Sequence, residues 1–371
     1  MNEKRAISVA AALQAEPLFH MSLGSKELFH SNLVAWFVDR YPEDVGVRFA
    51  AWTPPAPGRL PAPTTRETGD LDIVIQLADH EAIVIENKAF SMPNEAQLER
   101  YAAGPVRALR GRPTLVLLSL SNPRWPSDEY AAPAGTWRRI GYETLREVLQ
   151  PAIEAVRRRD FYDGETLAHY CSLLRLLVEL ADLVDVGSDD EPVELEPAIT
   201  RALMSARIAD AAEKMRMYQI AGRLRQALTP VRDVAIKADF TNGKPLLEAF
   251  VPLRGTDRIG WQYQNGQFRV ALILDTMSSP GATRAQREAF ATAHYGAWLE
   301  LGRLEQRFAP TRPVARRTPL NGYDPAFVYR YCIPVDLNVG RLLKIGAEYV
   351  ADAVAFAARA HPREAPPARR T

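Results

Sequence analysis

The chain has 371 residues, with 46 Lys and Arg against 45 Asp and Glu, for a formal net charge of +1. That length exceeds what one hydrophobic core usually supports and predicts two domains, and the balanced charge removes any global electrostatic argument for a polyanion partner. Two cysteines, Cys171 and Cys332, exclude a disulfide framework, and both sit among apolar neighbours that predict buried free thiols.

Taken in chain order, residues 7–19 and 25–40 read as helices; in the second, Leu28, Phe29, Leu33, Trp36 and Phe37 recur at three and four. Residues 53–65 hold five prolines without periodicity and read as a loop. Two short strands follow, 72–77 and 81–88, with Asp79-His80 as the turn. Asn94 reads as the N-cap of a helix running to about Ala103. The apolar run 114–120 suits a fully buried central strand. Residues 121–135 read as a Pro-rich loop, 137–140 as a strand, and 142–158 and 164–185 as helices.

The acidic stretch 187–196 is the best candidate linker, dividing a first domain over 1–186 from a second over 197–360. The second begins with a helix over 197–228. Strands are predicted at 232–240, 246–252, 259–264 and 267–274, with Asn265-Gly266 as a hairpin turn. A helix over 283–307, a strand over 327–333 and a helix over 341–360 complete an α+β pattern. The Pro- and Arg-rich segment 361–371 reads as disordered. The aromatic residues of Trp261–Phe268 fit hairpin core packing, with base stacking as the competing role. Tyr323, Phe327, Tyr329 and Tyr331 fall at alternating strand positions. The N-terminus lacks a charged-then-apolar leader and no apolar run has membrane-spanning length, which predicts a cytoplasmic protein.

The chemistry concentrates in Glu86-Asn87-Lys88, with Asp72 fourteen positions upstream. Side chains two apart on a strand share a face, so Glu86 and Lys88 point with Val84. If strands 72–77 and 81–88 pair, Asp72 sits beside Glu86. Two carboxylates and an ammonium then lie at the end of an apolar sheet, where burial is costly unless they bind one another or a cation. The economical reading is a divalent metal held by Asp72 and Glu86, with Lys88 beside the reacting group. Asp70 shares the alternation with Asp72 and leaves the choice of ligand open; Asp72 is preferred because it starts the apolar strand. Glu67 is a further, loop-borne acidic candidate.

This pattern resembles the PD-(D/E)XK nuclease superfamily, of restriction-endonuclease-like fold. The resemblance rests on Ile85-Glu86-Asn87-Lys88, on Gln97-Leu98-Glu99-Arg100-Tyr101 downstream, and on Phe29-His30-Ser31-Asn32-Leu33-Val34-Ala35-Trp36 upstream, and it covers about residues 20–180. It implies a mixed sheet flanked by helices and a metal-dependent phosphodiesterase acting on nucleic acid, DNA before RNA. Its carboxylates map onto Asp72 and Glu86, its lysine onto Lys88. It adds Glu27 as a water-mediated metal residue and Gln97 and Tyr101 as site residues. Mg²⁺ is the expected cofactor, with Mn²⁺ as substitute, and bacterial defence against foreign DNA the expected setting. Each added residue has an ordinary role too. Gln97 stands three after Asn94, as in a capping box; Tyr101 fits a half-buried core position; Glu27 fits a solvated helix; His30 fits a packing histidine. Asp70 stands where many relatives carry a basic residue, which means either a second metal ligand or repulsion of the phosphate. The competing function is an inactive nuclease-fold module that binds nucleic acid or a protein partner. The second domain matches no pattern; substrate selection, control or a homodimer interface are its candidate roles. No Gly-x-x-x-x-Gly-Lys-Ser/Thr loop occurs, which argues against ATP use.

Overall fold

The computed structural model describes residues 3–25, 27–53, 61–68, 70–77, 81–91, 95–109, 111–133, 135–229, 231, 233–241, 243–312 and 320–360. Asp79-His80, Asn94 and the segment 361–371, all assigned from the sequence, lie outside these residues. Two compact units are present: residues 1–185 with 197–215, and residues 186–196 with 216–371.

The first unit opens with helices α1 (Glu3–Ala15), α2 (Pro17–Ser25) and α3 (Glu27–Arg40). Strands β1 (Pro61–Thr68), β2 (Leu71–Leu77) and β3 (Ala82–Lys88) form an antiparallel meander. After α4 (Glu95–Ala103), strand β4 (Thr114–Ser119) joins β3 in parallel, and β6 (Gly135–Ile140) joins β4 in parallel. The antiparallel edge strand β5 (Glu129–Ala132) completes a mixed sheet of order β1-β2-β3-β4-β6-β5. This is the α/β nuclease-like architecture. The two outer strands correct the sequence reading, which placed both segments in loops. Prolines mask β1 because only the inner side of an edge strand needs backbone donors, and β5 is only four residues long.

Helices α5 (Tyr142–Leu149), α6 (Ile153–Arg159) and α7 (Phe161–Val184) follow. The helix expected over 142–158 is interrupted at Gln150–Ala152, where Pro151 removes a backbone donor. Asp160 caps α7 by accepting from the Asp163 N–H at 3.0 Å. Helix α8 (Pro197–Ser205) packs against α1, and so groups with the first unit. It is separated from α9 (Ala209–Ala227) by Arg207 in a left-handed conformation, φ 57°, where one continuous helix was expected. Buried side chains of β2, β3 and β4 pack on α4 through Val74, Val84, Leu98, Tyr101, Leu115 and Leu117. Helix α3 packs against β1, β2 and β3.

The second unit is an antiparallel sheet built from β7 (Ala235–Thr241), β8 (Lys244–Arg254), β9 (Asp257–Gln264) and β10 (Gln267–Ile273). Helices α10 (Arg284–Tyr295) and α11 (Leu301–Arg307) replace the single helix expected over 283–307. Short strands β11 (Thr311–Arg312) and β12 (Asn321–Tyr323), then β13 (Phe327–Pro334) and α12 (Val339–Ala360), complete it. The sheet order is β11-β13-β10-β9-β8-β7, with β12 on β13. Asn265 and Gly266 both take positive φ, 53° and 70°, as the predicted hairpin turn requires. Residues 187–196, expected as a linker, are built into this unit. Val193 is buried in its core, and the buried Arg216 donates to the carbonyls of Pro192 and Val193 and pairs with Glu191. Trp261 and Phe268 are fully buried and stacked, so the hairpin aromatics are core, and the Trp261 indole N–H donates to the Gly346 carbonyl at 2.9 Å. Cys171 and Cys332 are free and buried. Among the described residues no helix is long and apolar enough to cross a membrane.

Candidate active site

Strand β3 is Ala-Ile-Val-Ile-Glu-Asn-Lys, and every residue but the last is buried. Its β-branched run is held between β2 and β4, so the polar residues that end it are carried into the interior by pairing. The β2–β3 register runs Ile75–Ile83, Val74–Val84, Ile73–Ile85. One step further brings Asp72 opposite Glu86. Alternation aims Asp72, Glu86 and Lys88 to the α4 side, and Asn87 to the α3 side.

Glu86 is 1% exposed. Its Oε1 lies 2.6 Å from Lys88 Nζ, whereas no donor among the described residues reaches its Oε2. Burial, reinforced by the neighbouring Asp72 charge, pushes its carboxyl up to about 7. Asp72 accepts the backbone N–H of Asn87 on Oδ2 at 2.7 Å. Burial raises its carboxyl above the usual range, against the opposing effects of the Asn87 N–H and the Lys88 charge. Lys88 is lowered by burial, but Glu86 and Asp72 outweigh this and hold its ammonium above the ordinary lysine value.

The structure separates the two acids that alternation left equivalent. Asp70 is an exposed turn residue at φ 70°, preceding β2, whereas Asp72 faces Glu86. Glu67 falls in β1 and not in a loop; its side chain lies outside the described atoms.

Glu27 begins α3 and reaches the exit of β3, where its Oε1 accepts the N–H groups of Phe90 at 3.0 Å and Ser91 at 2.7 Å. Burial pushes its carboxyl up, but these backbone donors prevail and hold it below the ordinary value. Its charge is felt at both Asp72 and Lys88. Tyr101 sits on the inner face of α4, and Gln97 Nε2 donates to its hydroxyl at 2.6 Å. Burial raises the Tyr101 phenol, and the charges of Glu86, Lys88 and Asp72 all act on it.

Asn87, to which the sequence reading assigned no role, ties the site to the opposite layer. Its Nδ2 donates to the Glu27 carbonyl at 3.0 Å and to Ser31 Oγ at 3.1 Å, and its Oδ1 accepts from the Tyr142 hydroxyl at 2.7 Å. The signal was present: an amide at a buried strand position opposite two charged residues must find partners across the other face. His30 is fully buried behind it, hydrogen-bonded through Nδ1 to the Tyr170 hydroxyl at 3.1 Å and stacked obliquely on Tyr142. Burial lowers its imidazole to about 4. It is a packing histidine, neutral at ordinary pH.

The donor set fits a hard divalent cation. Asp72 and Glu86 supply oxygen only, and Glu86 Oε2 is a buried acceptor with no donor among the described residues, costly unless a cation, a water or a proton shared with Asp72 satisfies it. Among the described residues no three His, Cys, Asp or Glu side chains converge as a metal cage. Two carboxylates completed by water are sufficient for Mg²⁺, which dehydrates reluctantly.

Residues 63–172 match the family model described as the PD-(D/E)XK nuclease superfamily. The match spans β1 to the middle of α7 and includes Asp72, Glu86, Lys88, Gln97 and Tyr101; Glu27 lies upstream of it. No curated protein and no solved structure matches the chain.

Proposed function

We propose that the first unit is a Mg²⁺-dependent nuclease that hydrolyses phosphodiester bonds in DNA, with Mn²⁺ able to substitute. The observation that carries this reading is the convergence of Asp72, Glu86 and Lys88 at one end of an apolar sheet, with Glu86 Oε2 buried and unsatisfied. Asp72 and Glu86 would hold the ion. When bound, it supplies a water of lowered pKa and offsets charge on the phosphate. The Asn87 N–H fixes Asp72 and so orients its free oxygen. Lys88 places a positive charge beside the reacting phosphate, where fixed charge favours the transition state over the ground state. Gln97 fixes the Tyr101 hydroxyl, which borders the same charges. Glu27 secures the exit of β3 and acts on an ion only through water. The proposed setting, bacterial defence against foreign DNA, rests on the resemblance of residues 20–180 alone.

One observation favours a second reading. Lys88 Nζ is paired with Glu86 Oε1 and so is engaged by the carboxylate it would have to leave to meet a phosphate, which suits an inactive module that binds nucleic acid or a protein partner. The two are separated by incubating the full chain with supercoiled plasmid, linear duplex, single-stranded DNA and RNA, with Mg²⁺, with Mn²⁺ and with chelator. Metal-dependent cutting lost in Asp72→Ala and Lys88→Ala supports the nuclease and identifies its substrate. Cutting that survives both substitutions excludes this site, and no cutting by the wild type under any condition favours the binding module.

A further inference from the structure

The second unit's sheet carries one row of side chains that is unlike a solvated sheet face. Strand register places Lys237 of β7, Glu248 of β8, Gln262 of β9, Arg269 of β10 and Tyr331 of β13 side by side across five adjacent strands. The opposite face of these strands is the apolar core, through Leu247, Ala249, Trp261, Val270 and Cys332. A sheet with one apolar face ordinarily turns exposed polar residues outward. Here Gln262 is 3% exposed, Gln264 8% and Arg269 9%. They line a recess of about 460 Å³ with Glu248, Tyr323 and Tyr329.

The polar groups are aligned before any ligand arrives. Arg269 Nη1 donates to Gln262 Oε1 at 2.6 Å and Gln264 Oε1 at 3.1 Å, while its Nε and Nη2 donate to Gln267 Oε1. Gln262 Nε2 donates in turn to Glu248 Oε2 at 3.0 Å. The Arg269 guanidinium lies 5.0 Å over the Tyr329 ring. Among the described residues no carboxylate lies within ion-pair distance of Arg269, so a nearly buried cation is held by amide oxygens and an aromatic face alone. These partners satisfy its donors and one face of its charge but do not neutralise it, so an anion at the mouth of the recess would be favoured. Beside it, Tyr323 stacks on Phe327, with centroids 4.4 Å apart and planes at 14°, and stays 44% exposed. Phe327 supports one face of the ring, Tyr329 meets it edge-on, and its hydroxyl bonds Gln262; among the described residues no ring stacks on its other face.

We infer that this recess is a binding site for an unpaired nucleobase of a single-stranded nucleic acid, stacked on Tyr323 and read by the Gln262–Arg269–Glu248 array. A base edge presents both donors and acceptors, as this array does, and the adjoining backbone phosphate complements Arg269. A recess cut into a sheet admits a base that has left its pair; a duplex would need an element projecting into its groove. Sheet-borne aromatics beside arginine are a physically general way to hold single strands. The choice of a nucleic acid over another planar polar ligand rests on the nuclease reading of the first unit; the recess itself does not.

The test is fluorescence anisotropy of short labelled single-stranded DNA and its duplex, in chelator so that nothing is cut, with the full chain and its Tyr323→Ala, Tyr323→Phe and Arg269→Lys variants. The wild type should bind the single strand over the duplex. Tyr323→Ala should weaken it ~5- to 150-fold, the range of one lost base–aromatic stack; Tyr323→Phe, which keeps the ring and loses only the hydroxyl's bond to Gln262, should weaken it far less than Tyr323→Ala, and Arg269→Lys should weaken it. Unchanged affinity in Tyr323→Ala, or no single-strand binding by the wild type, overturns the inference. Tyr323→Ala also loses the stack on Phe327, so the melting temperature of each variant is measured alongside, and Tyr323→Phe, which keeps that stack, separates loss of the ring from loss of its hydroxyl. Binding that depends on Tyr323 without any metal-dependent cutting would sink the nuclease reading and leave this site standing. Cutting with unchanged single-strand affinity in Tyr323→Ala would do the reverse.

Discussion

Lys88 Nζ lies 2.6 Å from Glu86 Oε1, two residues along one face of one strand, and the other oxygen of that carboxylate is buried without a donor. One oxygen of this carboxylate is therefore paired, and the other, among the described residues, meets only the neighbouring carboxyl of Asp72, across the strand pair.

On the nuclease reading, Lys88→Ala, Asp72→Asn and Glu86→Gln should each lower the metal-dependent cleavage rate by at least ~10²-fold, the scale of removing one fixed charge from a transition state. Lys88→Arg should restore little, because a planar guanidinium cannot take the compact ammonium's place beside Glu86. Single-turnover cleavage of a labelled substrate measures this. A variant with undiminished turnover would remove that residue from the site.

Metal should be visible without turnover. Mg²⁺ or Mn²⁺ should raise the melting temperature of the wild type in a concentration-dependent way, because an ion that binds only the folded state stabilises it by mass action. The same ions should leave Asp72→Ala and Glu86→Gln where they were. A thermal shift unaltered by both substitutions would place the ion elsewhere.

Two buried groups set opposing pH dependences in the metal-free protein. Glu86, raised from 4.5 to about 7, binds a proton more readily when folded, so its contribution is full below pH 4.5 and is lost as pH rises toward 7. His30, lowered from 6.5 to about 4, is held neutral when folded, so its contribution is full above pH 6.5 and is lost as pH falls toward 4. Each is worth at most ~3 kcal/mol, and the windows overlap, so the two should largely cancel. Asp72, Lys88, Glu27 and Tyr101 surround Glu86 throughout. In denaturant unfolding between pH 4 and 8, Glu86→Gln should lose stability relative to the wild type as pH falls, and His30→Phe should lose stability relative to the wild type as pH rises. Parallel profiles for all three proteins would refute the assignment.

Asn87→Ala should cost about 2–4 kcal/mol of stability, because it strands the buried Tyr142 hydroxyl, removes two buried hydrogen bonds to α3 and leaves a gap; Ser31 Oγ keeps its own donation to the Glu27 carbonyl. Asn87→Asp should be no better, since it adds a buried charge beside Glu27. Tyr142→Phe, which removes one partner and leaves the two Nδ2 donations, should cost only ~1 kcal/mol. Chemical denaturation ranks the three; equal losses would show that the network does not act as one.

The sequence by itself determined the strand pair, the face shared by Glu86 and Lys88, and the hairpin at Asn265-Gly266, because alternation and turn chemistry are properties of a few adjacent residues. It concealed β1, since prolines are tolerated where one side of a strand needs no partner, and β5, which is only four residues long and carries no clear alternation. It made one helix of two at Pro151 and at Arg207, where a single residue outweighs the periodicity around it. Alternation left Asp70 and Asp72 equivalent, and only the start of the apolar strand favoured Asp72. The fold distinguished them, because the turn before β2 rotates Asp70 outward while pairing with β3 carries Asp72 to Glu86. The burial of Gln262 and Arg269 in the middle of the polar row from Lys237 to Tyr331 was likewise out of reach. Gln262 and Gln264 alternate visibly with Trp261 and Tyr263, but their burial depends on which strands lie beside them, and that is fixed by non-local packing of the whole sheet.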